Sequence, residues 1–321
     1  QLSGYMFFDT FWHKHDDYSM QGRIDFIFSI TSDQMIPKTG LGFISTQLRD
    51  LPAHKAAERS NDNQQYIQDN THHKIPTIIQ DEGVHGLIAN GSTVFPSALA
   101  MASSWDPELF EEVGKVIGRE ARSRGIRQLL SPTVNLGIDP RCGRVEETYG
   151  EDPFLSSRMA VSFVRGVQSQ AVVCTPKHFV ANFEGDGGRD SWATHFSDRF
   201  LREYLFPPFE AAITEAGALS LMASYNSQDG ESCSDSYYLL TEVLRDEWGF
   251  DGYVVSDYHS IAHLHELHKT AADAGEAAKA ALEAGLEVEF PRFQCYGEPL
   301  REMVKEGKIS EETITQAAGR V

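Results

Sequence analysis

The strongest constraint on the fold is a regular alternation of strand-like and helix-like stretches from Leu41 onward. Short apolar runs rich in β-branched residues alternate with longer stretches that carry helix signals. At Asp106-Pro107 and Asp152-Pro153, for example, a helix-capping residue precedes a proline at the first helical position. This order predicts parallel strands that are joined by helical crossovers.

The predicted strands are short and are separated by the predicted helices. They cover residues 41–45, 77–80, 128–135, 172–179, 219–226, 253–255 and 286–290. No glycine-rich phosphate loop follows the first strand, which disfavours a dinucleotide-binding fold. We therefore predict an α/β fold, a (β/α)8 barrel of the TIM type. Fewer than eight strands are evident, so one strand is expected to be irregular, missing or hidden in residues 1–40.

The aromatic-rich start of the chain does not follow this alternation. Residues 1–40 are expected to be an irregular segment that packs on the barrel or supplies part of it, and residues 41–321 are expected to form the barrel. No internal repeat or low-complexity tract divides the sequence further.

Composition narrows the classes of partner. The 47 acidic and 28 basic residues give a formal net charge of −19, which disfavours nucleic acid or an anionic membrane surface. A neutral or cationic small substrate fits this charge better. No apolar run is long enough to span a bilayer, and no signal segment opens the sequence, so the localisation stays open. The cysteines lack the spacing of a metal site or a disulfide framework; they are Cys142, Cys174, Cys233 and Cys295.

Several predicted strands end in polar residues, as strands do at the catalytic face of a barrel enzyme. These residues are Glu82 and His85, Asn135, Lys177 and His178, Tyr225 and Asn226, and Asp257. Each also has a plainer interpretation. Asp257 is a good helix N-cap, Lys177 suits a surface position, and His178 and Tyr225 suit the core. The recurrence of polar residues at strand ends favours a shared site with Asp257 at its centre.

The 12 histidines raise the question of a metal site. Pairs with close or helical spacing are His13 and His15, His72 and His73, His259 and His263, and His265 and His268. No HExxH pattern or carboxylate third ligand accompanies them. We interpret them as surface histidines and expect no metal.

Five motifs, in this order, resemble glycoside hydrolase family 3. They are Gln80-Asp-Glu-Gly-Val-His-Gly86, Asp139-Pro-Arg-Cys-Gly-Arg144 continuing through Tyr149-Gly-Glu-Asp-Pro153, Lys177-His-Phe-Val-Ala-Asn182, Met222-Ala-Ser-Tyr-Asn226 and Val255-Ser-Asp-Tyr258. One motif alone would be weak, but five in the right order are highly specific. The resemblance covers about residues 41–321.

The resemblance implies a retaining, exo-acting β-glycosidase that hydrolyses terminal β-linked sugars. A β-glucosidase is expected first and a β-xylosidase second, with no metal or organic cofactor and a small carbohydrate as substrate. Asp257 resembles the family's nucleophile. The residues assigned to substrate binding by this resemblance are Glu82, Arg144, Lys177, His178, Arg189, Met222, Tyr225 and Tyr258.

The sequence also departs from the common family pattern. Family members usually carry a second α/β sandwich domain that supplies the acid/base glutamate, and this sequence stops at Val321, near where the linker would begin. The acid/base is therefore expected outside this chain. Some single-domain members use a histidine in the loop after Lys-His-Phe, but Trp192 occupies that place and His195 is a weak substitute. A sugar-binding barrel without turnover is the second hypothesis, and a metal-dependent barrel hydrolase is the third.

Overall fold

The fold is built around a parallel sheet in a computed structural model that describes residues 4–6 and 32–321. The strands are β1 (Gly4–Met6), β2 (Phe43–Ser45), β3 (Ile78–Asp81), β4 (Gln128–Leu129), β5 (Val173–Cys174), β6 (Ser220–Ala223), β7 (Ser227–Gln228), β8 (Glu231–Ser232) and β9 (Tyr253–Ser256). Strands β1 to β5 pair in parallel in chain order, and β6 pairs in parallel with β9. Most of the irregular segment expected in residues 1–40 lies outside the described residues.

Isolated parallel bridges connect these sheets into a barrel. Thr133 pairs with Lys177, Phe179 with Ala223 of β6, and Val255 of β9 with Val288. The described strand positions thus run from β1 through β6 and β9 to the segment around Val288. The predicted α/β barrel of the TIM type is confirmed, and β1 supplies a strand from within residues 1–40.

Two strands are shorter than the sequence predicts because prolines interrupt their ladders. Pro132 follows β4 and Pro176 follows β5, and a proline has no N–H to donate to a neighbouring strand. Parallel pairing resumes just beyond them, where the N–H of Lys177 donates to the Pro132 carbonyl at 2.9 Å. The carboxyl ends of these strands are therefore irregular, and this is where the polar residues of the site lie.

Helices occupy the connections between the parallel strands. They are α1 (Ser32–Met35), α2 (Ala53–Asn70), α3 (Ala98–Ala102), α4 (Pro107–Ser123), α5 (Pro153–Gln168), α6 (Asp198–Phe200), α7 (Pro207–Thr214), α8 (Ser260–Glu266), α9 (Ala274–Ala284), α10 (Glu298–Lys305) and α11 (Glu311–Arg320). Wider π-type helices cover Leu201–Leu205 and Tyr238–Glu247. Asp106 and Asp152 cap α4 and α5, as predicted. None of the described helices has the length and apolar character needed to cross a membrane.

The barrel interior is filled by side chains rather than by solvent. Its core consists of Phe43, Leu130, Met222, Tyr253, Val255, Val288 and Phe290. The ring of Phe43 meets Phe290 edge-on at a centroid distance of 5.4 Å. Burying one such phenylalanine stabilises the fold by roughly 1.5–3 kcal/mol. These packed side chains, which we call the barrel plug, support the strand ends where the polar residues lie.

Candidate active site

Asp257 lies directly after β9, at the carboxyl end of the strand, and is only 8% exposed. Its Oδ1 accepts a hydrogen bond from the N–H of Tyr258 at 2.7 Å, and the hydroxyl of Tyr225 donates to the same carboxylate. The carboxylate does not cap α8, whose N-cap position is His259. The helix-cap interpretation of Asp257 is therefore wrong.

Burial dominates the electrostatics of Asp257. Loss of water around the carboxylate raises the pKa of Asp257 to about 6, against the opposing effects of Lys177, the Tyr258 amide, Tyr225 and Arg144. The side chain is thus ionised above about pH 6, in a setting where negative charge is poorly solvated.

His178 faces the other oxygen of Asp257, with Nε2 3.5 Å from Oδ2. The Oδ1 atom of Asn135 accepts from the backbone N–H of His178 at 2.7 Å and lies 2.9 Å from its Nδ1. Because the amide oxygen only accepts, Nδ1 carries the ring proton and Nε2 presents a lone pair to the site. Burial and the positive charges of Arg144 and Lys177 lower the pKa of His178 well below its usual value, so the ring is neutral.

Lys177 and Glu82 form an ion pair beside this carboxylate. The Nζ atom of Lys177 donates to both Glu82 oxygens, at 2.8 and 3.0 Å. Asp81, the last residue of β3, supports the pair from behind because its Oδ1 accepts from the Glu82 N–H at 2.8 Å. Arg49 in turn donates to Asp81 at 2.6 Å. Asp81 and Arg49 therefore help to hold Glu82 in position for the ion pair.

Arg144 brings a second cation toward Asp257. It donates to Glu147 through Nε at 2.7 Å and through Nη2 at 2.8 Å, and its guanidinium lies 5.3 Å from the centre of the Phe183 ring. The bidentate pair raises the pKa of Arg144 despite its burial. Its charge is close enough to Asp257 to lower the pKa of that carboxyl. Arg144 thus makes an ion pair within its own loop and also acts on the charge of Asp257.

Two tyrosines lie near Asp257. Tyr225 contacts Asp257, and its ring lies 5.4 Å from the ring of His263. The hydroxyl of Tyr258 is 3.4 Å from the Ser45 hydroxyl, on the side of Glu82. Burial raises the pKa of both phenols above the usual value, so both remain protonated donors.

Three residues considered from the sequence lie outside this cluster. Met222 is 2% exposed and belongs to the barrel plug beneath the site. Arg189 lies over the ring of Trp192, 5.1 Å from its centre. His195 is exposed and sits between Asp186 and Asp229, at 3.4 and 3.8 Å.

Sequence reasoning missed the supporting roles of Arg49 and Asp81. Asp81 directly precedes Glu82 at the end of β3, so its position at a strand end was a usable signal. Arg49 follows β2 by four residues, and nothing in its spacing indicates that it pairs with Asp81. Only the parallel pairing of β2 with β3 brings these two residues together.

The site places the carboxylate of Asp257 among donors and acceptors suited to hydroxyl groups. Lysine and arginine donate, Nε2 of His178 accepts, and Glu82 accepts. Within residues 32–321, no group of three histidine, cysteine or acidic side chains is arranged to hold a metal ion.

A parallel α/β barrel with converging polar groups at its strand ends is an architecture typical of enzymes. The model of the glycosyl hydrolase family 3 N-terminal domain matches residues 21–321. The chain therefore belongs to glycosyl hydrolase family 3.

Named relatives are consistent with this membership. The chain is 41% identical over 255 residues to a β-glucosidase of Rhizobium radiobacter, covering 77% of this chain and 29% of the relative. It is 38% identical over 300 residues to a putative β-xylosidase of Formosa agariphila, covering 90% and 40%. The structure of a β-glucosidase from Erythrobacter marinus superposes with a TM-score of 0.86 at 31% identity, covering 97% and 45%. The chain thus spans less than half the length of these relatives.

Proposed function

We propose that this protein is a retaining β-glycosidase in which Asp257 is the nucleophile. The observation that carries the proposal is the buried carboxylate of Asp257, 8% exposed, at a strand end between Tyr225 and His178. In the first step an Asp257 oxygen forms a bond to the anomeric carbon while the bond to the leaving oxygen breaks. Water then attacks the same carbon while the acid/base group takes its proton. The bond to Asp257 breaks, and the sugar leaves with retained configuration.

The neighbours of Asp257 support this chemistry. The Tyr225 hydroxyl and the Tyr258 amide donate to the carboxylate and orient it. Positive charge develops on the sugar ring in the transition state, and the ionised carboxylate stabilises that charge at close range. Burial of the carboxylate strengthens this interaction because little water screens it.

The ion pairs and His178 are proposed to hold the sugar hydroxyls. Glu82 and Nε2 of His178 accept hydrogen bonds, and Lys177 and Arg144 donate them. These contacts are proposed to fix the ring with its anomeric carbon toward Asp257. Arg189, Met222 and Tyr258 stay proposals for lesser roles, of which Tyr258 has the strongest support because it lies beside Glu82.

The leaving oxygen needs a proton from a second group, in retaining enzymes a carboxyl roughly 5 Å from the nucleophile. Among the described residues, Tyr258 and Tyr225 hydrogen-bond to Asp257, and the neutral His178 lies 3.5 Å from it. The neighbouring carboxylates, Glu82 and Glu147, are already engaged in ion pairs with Lys177 and Arg144. We therefore infer that the acid/base belongs to another part of the protein. The same observation supports the alternative of a sugar-binding barrel with little turnover.

Substrate specificity is proposed to be for β-glucosides first and β-xylosides second. Relatives of both names match this chain. Release of nitrophenol from the aryl β-glucoside and the aryl β-xyloside separates the two. Binding of either sugar by calorimetry without nitrophenol release would support the binding-only alternative.

Covalent trapping tests the assignment of Asp257 as the nucleophile and does not depend on the acid/base group. A dinitrophenyl β-glucoside that carries fluorine on the carbon next to the anomeric carbon has a leaving group that needs no proton. Intact mass spectrometry should show one added fluoroglucosyl group on the native chain and none on Asp257→Asn. Asp251→Asn, an exposed aspartate just before the same strand, is the matched control and should label normally. Labelling of Asp257→Asn would refute the assignment.

A further inference from the structure

Tyr225 reaches Asp257 from the loop between β6 and β7, outside both strands. The pairing of β6 with β9 ends at Ala223, so it does not fix the tyrosine side chain. A misplacement of about 1 Å can cost about a hundredfold in the rate of an enzyme reaction. Whatever holds the backbone and the ring of Tyr225 therefore also sets its hydrogen bond to Asp257.

His268 holds the backbone of Tyr225. Its Nε2 lies 2.8 Å from the Tyr225 carbonyl oxygen, and the two residues are 43 positions apart in the sequence. Because a carbonyl oxygen only accepts, Nε2 carries the ring proton and donates it. The main-chain N–H of His268 in turn donates to the carbonyl of His263 at 2.8 Å. His268 thus joins the end of α8 to the loop that carries Tyr225.

His263 packs against the ring of the same tyrosine. The ring centres of His263 and Tyr225 are 5.4 Å apart, with an angle of 35° between the ring planes. Aromatic rings favour a defined mutual orientation at separations of roughly 4.5–7 Å. The ring of His268 meets that of His263 edge-on at 6.5 Å. Both histidines are half-buried, so the interpretation of these two as surface histidines is wrong.

The ring of His263 packs as an uncharged group. Burial, together with His268 and His259, lowers the pKa of His263 against the opposing effects of Glu266 and Asp190. The ring is therefore neutral at neutral pH. Its contact with Tyr225 brings no positive charge to the site.

Ser234 fixes the start of α8 to the same strand end. Its hydroxyl donates to the carbonyl of Ser224, the residue before Tyr225, at 3.1 Å. Its oxygen also lies 2.9 Å from the hydroxyl oxygen of Ser260, the first residue of α8. The helix is thus joined to the Tyr225 loop at its start through Ser234 and beyond its end through His268.

We propose that His263 and His268 are positioning residues for the reaction at Asp257. His268 fixes the backbone of Tyr225, His263 fixes its ring, and together they hold the phenol where it donates to the carboxylate. In this proposal neither histidine contacts the sugar, and both act through Tyr225. The inference rests on the proposed function, because it presumes that Asp257 forms the bond to the sugar.

Trapping kinetics with the fluorinated dinitrophenyl β-glucoside test the proposal on the 321-residue chain. An Asp257 oxygen bonds to the anomeric carbon, and dinitrophenolate leaves with the electron pair. His268→Leu removes the donor to Tyr225 and should lower the limiting rate of labelling about three- to tenfold. The reagent concentration that gives half this rate should stay unchanged, because His268 does not bind the sugar. The pH midpoint of labelling should rise, since the Tyr225 hydrogen bond lowers the pKa of Asp257.

Two amide variants separate the hydrogen bond from the bulk of the ring. In His268→Gln the amide nitrogen can stand where Nε2 stands and donate to the carbonyl, so labelling should stay near the native rate. The side chain of His268→Asn is one methylene shorter, cannot reach the carbonyl and should label as slowly as His268→Leu. His265→Leu alters another histidine of α8, one that lies 3.9 Å from Glu266, and should leave both the rate and the midpoint unchanged.

A double-mutant cycle shows whether the two histidines act through Tyr225. In the Tyr225→Phe background the hydroxyl is absent, so adding His268→Leu or His263→Leu should change the labelling rate by no more than about twofold. In the native background His263→Leu should slow labelling as His268→Leu does. A general loosening of the fold would instead slow labelling equally in both backgrounds. Circular dichroism checks that each variant is folded.

The outcomes separate this inference from the proposed function. Absence of labelling in the native chain, or labelling that persists in Asp257→Asn, overturns the proposed function and this inference with it. Normal labelling of the native chain with an unchanged rate in His268→Leu overturns the positioning role alone. Full additivity with Tyr225→Phe overturns it as well. If His268→Leu does not fold, equal rates for His268→Gln and His268→Asn have the same consequence.

Discussion

Two buried carboxylates near opposite ends of β9 have very different surroundings. Glu287, 1% exposed, accepts from Arg245 at 2.8 Å, from Arg320 at 2.7 Å and from the N–H of Val254 at 2.7 Å. Asp257 accepts from one amide and one phenol, and its nearest described nitrogen cation or imidazole is His178 at 3.5 Å. One carboxylate is neutralised at contact distance, and the other meets no cation at contact distance among the described residues.

This difference in surroundings supports a structural role for Glu287 and the proposed chemical role for Asp257. Both carboxyls have a pKa raised by burial, partly offset by nearby positive charge. At Glu287 the contacts consume both oxygens and join α11 and the Tyr238–Glu247 helix to the barrel. At Asp257 the cations Lys177 and Arg144 are engaged with Glu82 and Glu147 and act from a distance. Asp257 is thus not neutralised by a direct ion pair with either cation.

The largest expected effect is a loss of folding stability when the carboxylate of Glu287 is replaced. Glu287→Gln removes the negative charge that Arg245 meets in a buried setting, and we expect a loss of about 3–5 kcal/mol in the free energy of unfolding. Urea denaturation followed by circular dichroism measures it. Glu283→Gln, an exposed residue paired with Lys279, is the control and should have little effect. A loss of unfolding free energy in Glu287→Gln as small as that in the control would contradict the structural role of Glu287.

For Asp257 we expect the opposite sign, because removing its charge leaves no contacting cation unpaired: Lys177 and Arg144 keep their partners Glu82 and Glu147. Burial raises the pKa of Asp257 to about 6, so ionised Asp257 weakens the fold at neutral pH. The raised pKa means that the folded state binds its proton more tightly than the unfolded state. Stability is therefore lost as the pH rises from about 4 to about 6. Asp257→Asn should raise the unfolding free energy at pH 7 by up to about 3 kcal/mol and should abolish trapping. A destabilised variant would contradict this reading.

Removing the positive charge of Lys177 should weaken sugar binding and shift the pKa of Asp257. The trapping rate of the native chain should rise with pH and reach half its maximum near pH 6, where Asp257 ionises. Because Lys177 lowers the pKa of Asp257, Lys177→Met should move this midpoint to higher pH and weaken sugar binding by roughly 1.5–3 kcal/mol. Calorimetry and trapping across pH measure both. Lys115→Met, on the exposed face of α4, should change neither quantity.

The smallest effect should come from a single hydroxyl. Tyr225→Phe removes one donor to Asp257 and should slow trapping about tenfold, which corresponds to one modest hydrogen bond. The pH midpoint should also rise, since the hydroxyl lowers the pKa of Asp257. Tyr237→Phe, at a half-exposed tyrosine, controls for the loss of a phenol. An unshifted midpoint would argue that Tyr225 does not contact the carboxylate in solution.

Much of the fold was predictable because its signals are local. The caps at Asp106 and Asp152 satisfy N–H groups within three residues, and both helices begin where predicted. The lengths of β4 and β5 were overestimated because Pro132 and Pro176 interrupt ladders that depend on neighbouring strands. The first strand, Gly4–Met6, was not identified, since three residues carry no periodicity and its pairing with β2 is non-local.

The sequence by itself determined the class of fold, the family and the group of strand-end residues that include Asp257, Glu82, Lys177 and His178. These conclusions follow from hydrophobic periodicity, helix capping and short motifs, all of which depend on residues close together in the sequence. Only the tertiary structure decided which of these residues meet, that Met222 lies in the plug, and that Arg49 and Asp81 support Glu82. Burial and ion pairing arise from segments far apart in sequence, because the barrel brings their ends to one face.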